Sequence, residues 1–238
     1  MKLNGKTAIV TGASAGLGEE ISRQLVKAGA TVYGLARRED KLDDVRHELG
    51  TAFVPVSGDV RKESDIRHLV ERILAETHRI DVLVNNAGFG IFKPLTRVSA
   101  REWSTLHDTN LKGVFLCSKA VIPVMQQQNE KSGFGGHIVN IASIAGLVGN
   151  PEIGVYNASK FGVRGLSESM MKEVRGDGIK VTCVFPGSID TDFSATAGSG
   201  RSRKGMDAKD VAGSVLHVLR GPDNYLVSEL TMRPLRVQ

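Results

Sequence analysis

Lys6-Thr7-Ala8-Ile9-Val10-Thr11-Gly12-Ala13-Ser14-Ala15-Gly16-Leu17-Gly18 is a short apolar run that stops in a glycine-rich turn and continues as a helical pattern over 17–27. Strand, glycine turn and helix in that order open a parallel α/β layer, because a parallel neighbour is reached through a crossover helix. Gly12 permits the turn out of the strand, Gly16 leaves room for a ligand backbone, and Gly18 lets the helix approach the sheet. Ser14, Ala15 and Leu17 lie among these glycines at a helix start whose free N–H groups face a pyrophosphate. The glycine spacing of four and two differs from G-x-G-x-x-G, and no Gly-Lys-Ser or Gly-Lys-Thr follows, so the turn is not a P-loop.

Outward from this turn the alternation repeats. Strands are expected at 30–36, 52–57, 80–84, 137–142, 179–185 and 224–232, with helices at 40–49, 63–77, 111–128, 153–175 and 210–219 between them. Ser99 and Glu102 form a capping box that starts a further helix at Ala100. Pro123 falls inside the 111–128 pattern, where it kinks the helix or sits where a missing hydrogen bond is tolerated, and 129–136 reads as a polar loop. The expectation is one α/β domain over 1–238, a Rossmann-like doubly wound parallel sheet of about seven strands with helices on both faces.

At 238 residues and 41% hydrophobic the chain is long enough for one large core. A net charge of +5 from 31 basic and 26 acidic residues, mixed along the chain, permits anionic ligands and does not indicate nucleic acid. Cys117 and Cys183 sit in apolar periodic segments and read as buried thiols, and no histidine or cysteine spacing supports a metal. His137 reads as structural and Trp103 as a packing or interface residue. The first residues carry no apolar targeting core and no stretch has the length of a membrane span, so no membrane and a cytoplasmic location are expected.

The remaining chemistry lies at strand ends. The second strand ends in Ala36-Arg37-Arg38, where a free ribose 2′-hydroxyl wants an acid. Flanked by Glu39 and Asp40, the arginines alone also read as a solvated pair. One strand-helix-strand unit after the glycines, they favour the 2′-phosphate of NADP(H). Asp59-Val60 and Asn85-Asn86-Ala87-Gly88 lie where ligands of open α/β sheets gather, and serve ordinary turns equally well. Ser143 ends a buried strand, and Tyr156 and Lys160, four apart, share a helix face. A hydroxyl, a phenol and an ammonium then converge on one small volume.

With these motifs in order, the chain resembles the classical short-chain dehydrogenases/reductases over nearly its whole length. The resemblance implies that Asn110, Ser143, Tyr156 and Lys160 are catalytic, with Tyr156 as general acid, Ser143 on the carbonyl oxygen, and Asn110 supporting Lys160 through water. It also implies that Lys160 and the nicotinamide charge together lower the Tyr156 pKa, that Asp59 contacts adenine, and that Pro186, Gly187, Ile189 and Thr191 close over the nicotinamide. Tyr156 and Lys160 belong to the cofactor set as well, with Asn86, Ala87 and Gly88. Within the family the ending Tyr225 to Pro234 looks like that of NADP-dependent small carbonyl and 3-hydroxy acid or serine-type dehydrogenases. A 3-oxoacyl-carrier-protein reductase role is the alternative, set back by the absence of a glycine-rich region after the last helix, and a regulatory NADP-binding protein without chemistry is a second.

The substrate implied is a small aldehyde, ketone or oxo acid and its alcohol. Phe89, Ile91, Phe92, Leu147, Ile153 and Phe193 are expected as apolar walls, with a substrate loop at 189–206. Arg201, Arg203 and Lys204 in that loop are solvated charges unless it folds inward onto a carboxylate. The family pairs helices equivalent to 111–128 and 153–175, so a homodimer or homotetramer is expected, with Val114, Phe115, Val121, Phe161 and Val163 as candidate contacts that could as readily face the sheet.

Overall fold

Strands β1 (Thr7–Thr11), β4 (Val82–Asn85), β5 (Gly136–Ile141) and β6 (Ile179–Pro186) are buried at every position. Burial without alternation belongs to parallel strands covered on both faces. In the computed structural model, which describes residues 1–193, 197 and 205–235, they join β2 (Thr31–Ala36), β3 (Phe53–Ser57) and β7 (Glu229–Met232) in one sheet. Its order is β3-β2-β1-β4-β5-β6-β7 and every pairing is parallel. This is the single-domain Rossmann-like architecture expected from the alternation.

The helices are α1 (Gly16–Lys27), α2 (Glu39–Leu49), α3 (Glu63–Thr77), α4 (Ala100–His107), α5 (Gly113–Ser132), α6 (Gly154–Val174) and α7 (Ala208–Leu219). Ile21 and Leu25 of α1, Leu42 of α2 and Val215 of α7 pack on one face of the sheet. Ile66 and Ile73 of α3, Val121 of α5 and Met170 of α6 pack on the other. The strand order reverses between β1 and β4, and a crevice at that point is where such sheets take ligands.

Local chemistry sets the helix limits. Ser99 Oγ accepts from the Glu102 N–H at 3.2 Å while Glu102 accepts from the Ser99 N–H at 2.9 Å, the expected capping box. Between α4 and α5 a π turn, Asp108–Lys112, inserts one residue and carries Asn110 inward. The loop expected at 129–136 is shorter, because α5 runs to Ser132 and ends at Gly133, whose φ of 73° is the left-handed stop. Pro123 is tolerated inside α5 because it and Lys119, whose carbonyl loses its partner, both face solvent. The last strand is shorter than 224–232, since pairing with β6 begins at Glu229.

Of the five residues expected to supply subunit contact, Val114, Val121 and Val163 are core residues, 5%, 1% and 0% exposed. Their stripes face the sheet, and only Phe115 and Phe161 stand out, 46% and 44% exposed. Cys117 and Cys183 are free and buried, and burial pushes their thiols up to about 12 and about 11. Among the described residues no cluster of histidine, cysteine, aspartate and glutamate is set to hold a metal, and no helix is long and apolar enough to cross a membrane.

His137 is structural in the way its strand position suggests. Thr182 Oγ1 donates to the Val227 carbonyl at 2.6 Å, so it accepts from His137 Nε2–H at 2.8 Å, and Nδ1 is a buried lone pair without a partner. Burial, with Lys180 and the amino terminus adding repulsion, pushes the imidazole down to about 3. The folded protein therefore binds this proton less readily than the unfolded chain, and stability present above pH 6.5 is lost as pH falls toward 3. In thermal or urea unfolding, His137→Gln should reduce the loss between pH 7 and pH 5 by about 2 kcal/mol relative to the unaltered protein. Equal losses in the two proteins would refute this assignment.

Candidate active site

At the end of β1 the backbone is packed so closely that glycine is required. Gly12 has a φ of 67°, and a Cβ there would lie 2.9 Å from the Ala87 Cα. A Cβ at Gly18 would lie 2.3 Å from the Gly12 carbonyl oxygen. Thr11 Oγ1 accepts from the N–H groups of Asn86 and Ala87, each at 3.0 Å, and Asn86 Nδ2 donates to the Thr11 carbonyl at 3.0 Å. The ends of β1 and β4 are thereby laced together. Helix α1 starts beside them with Ala15 as its N-cap and no side-chain bond to its first turn. Its N–H groups and the positive end of its dipole thus remain for an anion.

The arginines after β2 flank this cradle. Arg38 Nη2 donates to Ser14 Oγ at 3.3 Å, which draws it over the glycine turn, while exposed Arg37 is near enough to Asp59 to help lower its pKa. Asp59 itself is held below the usual carboxylate range first by Arg61, whose Nε lies 3.0 and 2.9 Å from the two carboxylate oxygens. Arg61 was not among the expected site residues, although its place two residues after Asp59 is the signal that finds it. Val60 is 7% exposed and packs against Gly113, so its side chain is a core contact rather than a lining group.

Ser143, Tyr156 and Lys160 do converge. Ser143 caps the short 3-10 turn Ile144–Gly146, accepting from the Ala145 N–H at 3.1 Å, and its hydroxyl bonds the Tyr156 phenol. Lys160 Nζ stands 5.7 Å from the centre of the Tyr156 ring and donates to the Ile141 carbonyl at 2.8 Å. The helix approaches its neighbour closely here, since a Cβ on Gly146 would lie 2.6 Å from the Lys160 carbonyl oxygen. Tyr156 is 7% and Lys160 5% exposed. Burial pushes the phenol up to about 12, with the Ser143 bond opposing, and pushes the ammonium down to about 8. In the protein alone burial penalises both charged forms and dominates the Tyr156 shift; the expected lowering joins Lys160 to the nicotinamide charge, which acts only in the complex.

The Asn110 side chain makes three direct bonds. Its Oδ1 accepts from the Phe89 N–H at 3.0 Å, and its Nδ2 donates to the Phe89 carbonyl at 2.9 Å and to Ser159 Oγ at 3.2 Å. The side chain braces the loop after β4, with Gly88 between it and Lys160 Nζ. Three further polar residues, Ser118, Asn140 and Asn157, escaped the sequence reading, and Asn85 binds two of them. Asn85 Nδ2 donates to Asn140 Oδ1 at 2.8 Å and to Ser118 Oγ at 3.2 Å, and Asn157 Nδ2 holds the carbonyls of Ala145 and Val148 at 2.6 and 2.8 Å. An amide inside the apolar run 137–142 was the available clue to Asn140.

The segment after β6 closes the site. Pro186 offers its carbonyl to Ser143 Oγ at 3.5 Å, Gly187 N–H donates to the Met232 carbonyl at 2.8 Å, and Thr191 Cγ2 would lie 3.3 Å from a Cβ on Gly16. Ile189 forms a bridge with Met206, which fastens the base of the 189–206 loop. Phe89, Ile91, Phe92, Ile153 and Phe193 pack around Tyr156 as expected of walls. Leu147 does not, since it packs in the neighbouring cluster with Val163 and Phe185. Arg201, Arg203 and Lys204 lie outside the described residues.

The family model described as short chain dehydrogenase matches residues 6–202. An uncharacterized oxidoreductase of Staphylococcus epidermidis is 33% identical over 234 residues, covering 98% of this chain and 99% of the relative. Among solved structures, the closed form of a serine dehydrogenase complexed with NADP+ superposes with a TM-score of 0.89 at 32% identity, covering 96% of this chain and 95% of that one. A 3-ketoacyl-(acyl-carrier-protein) reductase from Brucella melitensis complexed with NADH gives 0.90 at 28% identity, covering 97% of each chain.

Proposed function

Because the chain belongs to the short-chain dehydrogenase family, we propose that it is an NADP(H)-dependent oxidoreductase interconverting a small aldehyde, ketone or oxo acid and the corresponding alcohol. The observation that carries this reading is the buried convergence of Ser143, Tyr156 and Lys160 beside the glycine cradle. The cradle suits a dinucleotide. Gly12 and Gly18 sit where a Cβ would collide with backbone, and the first turn of α1 has no side-chain cap. The bound nicotinamide supplies or accepts the hydride.

In carbonyl reduction Tyr156 donates its proton to the substrate oxygen as charge develops there. A phenol held at about 12 keeps that proton at neutral pH, so it acts as an acid until the substrate oxygen becomes the stronger base. Lys160, at about 8, is still mainly ammonium at pH 7 and stabilises the tyrosinate left behind. The Ser143 hydroxyl, already on the phenol, is placed to donate to the same substrate oxygen. Asn110 keeps the Phe89 backbone against this group. Arg38 and Arg37 would pair with a 2′-phosphate, and residues 186–191 with the nicotinamide end.

The exposed rings of Phe115 on α5 and Phe161 on α6 favour a homodimer or homotetramer that covers these helices.

Three measurements test the reading. With NADPH and a panel of aldehydes and ketones, Tyr156→Phe should lower kcat/KM by about 10²- to 10⁴-fold, and equal turnover by both proteins would refute the assignment of Tyr156. Arg37→Asp should shift the ratio of NADPH to NADH dissociation constants, read by fluorescence titration, at least about tenfold toward NADH through loss of a charge-assisted contact. An unaltered protein that binds both cofactors equally would contradict the 2′-phosphate reading. Light scattering at micromolar concentration should give a mass of two or four chains, and a monomeric mass would remove the assembly.

A further inference from the structure

We propose that Arg61 sets the preference for NADP(H) by acting through Asp59: it binds both oxygens of that carboxylate and so keeps the negative charge from Arg37 and from the 2′-phosphate that Arg37 takes. This rests on the 2′-phosphate reading of Arg37 and Arg38. Backbone contacts bring the two strand ends together. Gly58 N–H donates to the Ala36 carbonyl at 3.0 Å, which places the turn after β3 beside the residue that precedes Arg37. A Cβ on Gly58 would lie 2.9 Å from Leu35 Cδ1. Asp59 N–H donates to Asp65 Oδ2 at 2.9 Å, and the Asp59 carbonyl accepts from the Lys62 N–H at 2.9 Å, so the backbone that bears the carboxylate is held on both sides.

An acid at this place works against a phosphate. Left alone, the Asp59 carboxylate would repel the incoming anion and offer Arg37 a competing partner. The two residues already feel each other, since Arg37 helps Arg61 to hold the Asp59 carboxyl below the usual range. Burial singles this acid out from those nearby. Glu39 and Asp40 are exposed at the start of α2, where water and salt screen them, while Asp59 is 8% exposed.

Arg61 meets the charge with a matching shape. Its Nε lies 3.0 Å from Oδ1 and 2.9 Å from Oδ2, Nη2 donates to Oδ2 at 2.5 Å, and the Arg61 backbone N–H donates to Oδ1 at 3.0 Å. One residue thus holds both oxygens through a planar fork and a main-chain bond, a grip that a lysine ammonium does not reproduce. The guanidinium is turned onto Asp59, whereas that of Arg38 reaches Ser14 over the glycine turn. A phosphate arriving here meets a neutral pair in place of a second anion.

The test reads the ratio of NADH to NADPH dissociation constants by fluorescence titration of one preparation with both cofactors. Adenine is common to the two, so any contact of Asp59 with the base cancels in the ratio, as does the folded fraction of a variant. Arg61→Gln frees the carboxylate and should lower the ratio about tenfold, the scale of one freed charge acting on a phosphate across a wet cleft. Arg61→Lys, which keeps the charge and loses the fork, should fall between. Asp59→Asn combined with Arg61→Gln removes both charges and should return the ratio to within about threefold of the unaltered protein, because the two substitutions act on one interaction. A ratio unchanged in Arg61→Gln, or a loss that persists in the double variant because the arginine touches the phosphate itself, overturns the inference and leaves the NADP(H) reading standing. An unaltered protein that binds both cofactors equally removes that reading, and the inference with it.

Discussion

The hydroxyl of Thr11 holds the architecture at its most demanding point. Two adjacent parallel strands, β1 and β4, must end together although their crossovers leave toward opposite sides, so the N–H groups at the end of β4 need an acceptor from outside the ladder. Thr11 Oγ1 receives two of them, and Asn86 returns a bond to the Thr11 carbonyl. A buried N–H left without an acceptor costs roughly 1–3 kcal/mol, so this small exchange keeps the crevice from being a flaw. It also fixes Gly12 against Ala87, and with Gly12 the path of α1 toward the sheet. The loop after β4 starts from the same atoms and leads directly to Phe89, where Asn110 holds it.

Burial then does for the tetrad what charge alone does not. Tyr156 and Lys160 are each driven toward their neutral forms, the phenol to about 12 and the amine to about 8. In the proposed reaction a phenol that keeps its proton, beside a lysine still mainly ammonium at pH 7, would suit proton donation to a developing alkoxide, and the resulting tyrosinate and ammonium would attract in a dry site. That dryness comes from residues distant in sequence: Phe92 after β4, Ile153 before α6 and Phe193 after β6. Polar residues shape the rim, with Asn157 tying down the Ala145 and Val148 carbonyls so that the loop between β5 and α6 keeps its course.

Much of this was legible in the residues. Apolar runs marked the buried strands, and the spacing of Tyr156 and Lys160 marked one helix face because that periodicity is local. What was not legible depends on partners far along the chain. The π turn at Asp108–Lys112 adds one residue without disturbing the apolar pattern on either side, so Asn110 was identified by type while its bonds to Phe89 were not. The upward shift of Tyr156 in the protein alone was not legible because the nearby lysine is visible in sequence and the aromatic cover is not. Val114, Val121 and Val163 resembled contact residues for the same reason: an apolar stripe does not say whether a sheet or a second subunit covers it.

The anion site on α1 illustrates how charges near a ligand are set by pairs that do little for stability. Glu19 and Glu20 lie in the first turns of a helix whose positive end is meant for a phosphate, and Arg23 binds both, at 2.9 and 2.6 Å, while also reaching Glu48. Across the crevice Arg61 closes on Asp59. Such half-exposed pairs contribute about 1 kcal/mol or less to folding. Their larger consequence is local: Arg61 neutralises Asp59, and Arg23 offsets part of the charge of Glu19, Glu20 and Glu48, while Arg37, Arg38 and the α1 N–H groups lie at the glycine turn. A polyanion entering this crevice therefore meets a potential shaped by arginines that need not touch it, which explains why a helix start bearing two glutamates remains suited to phosphate.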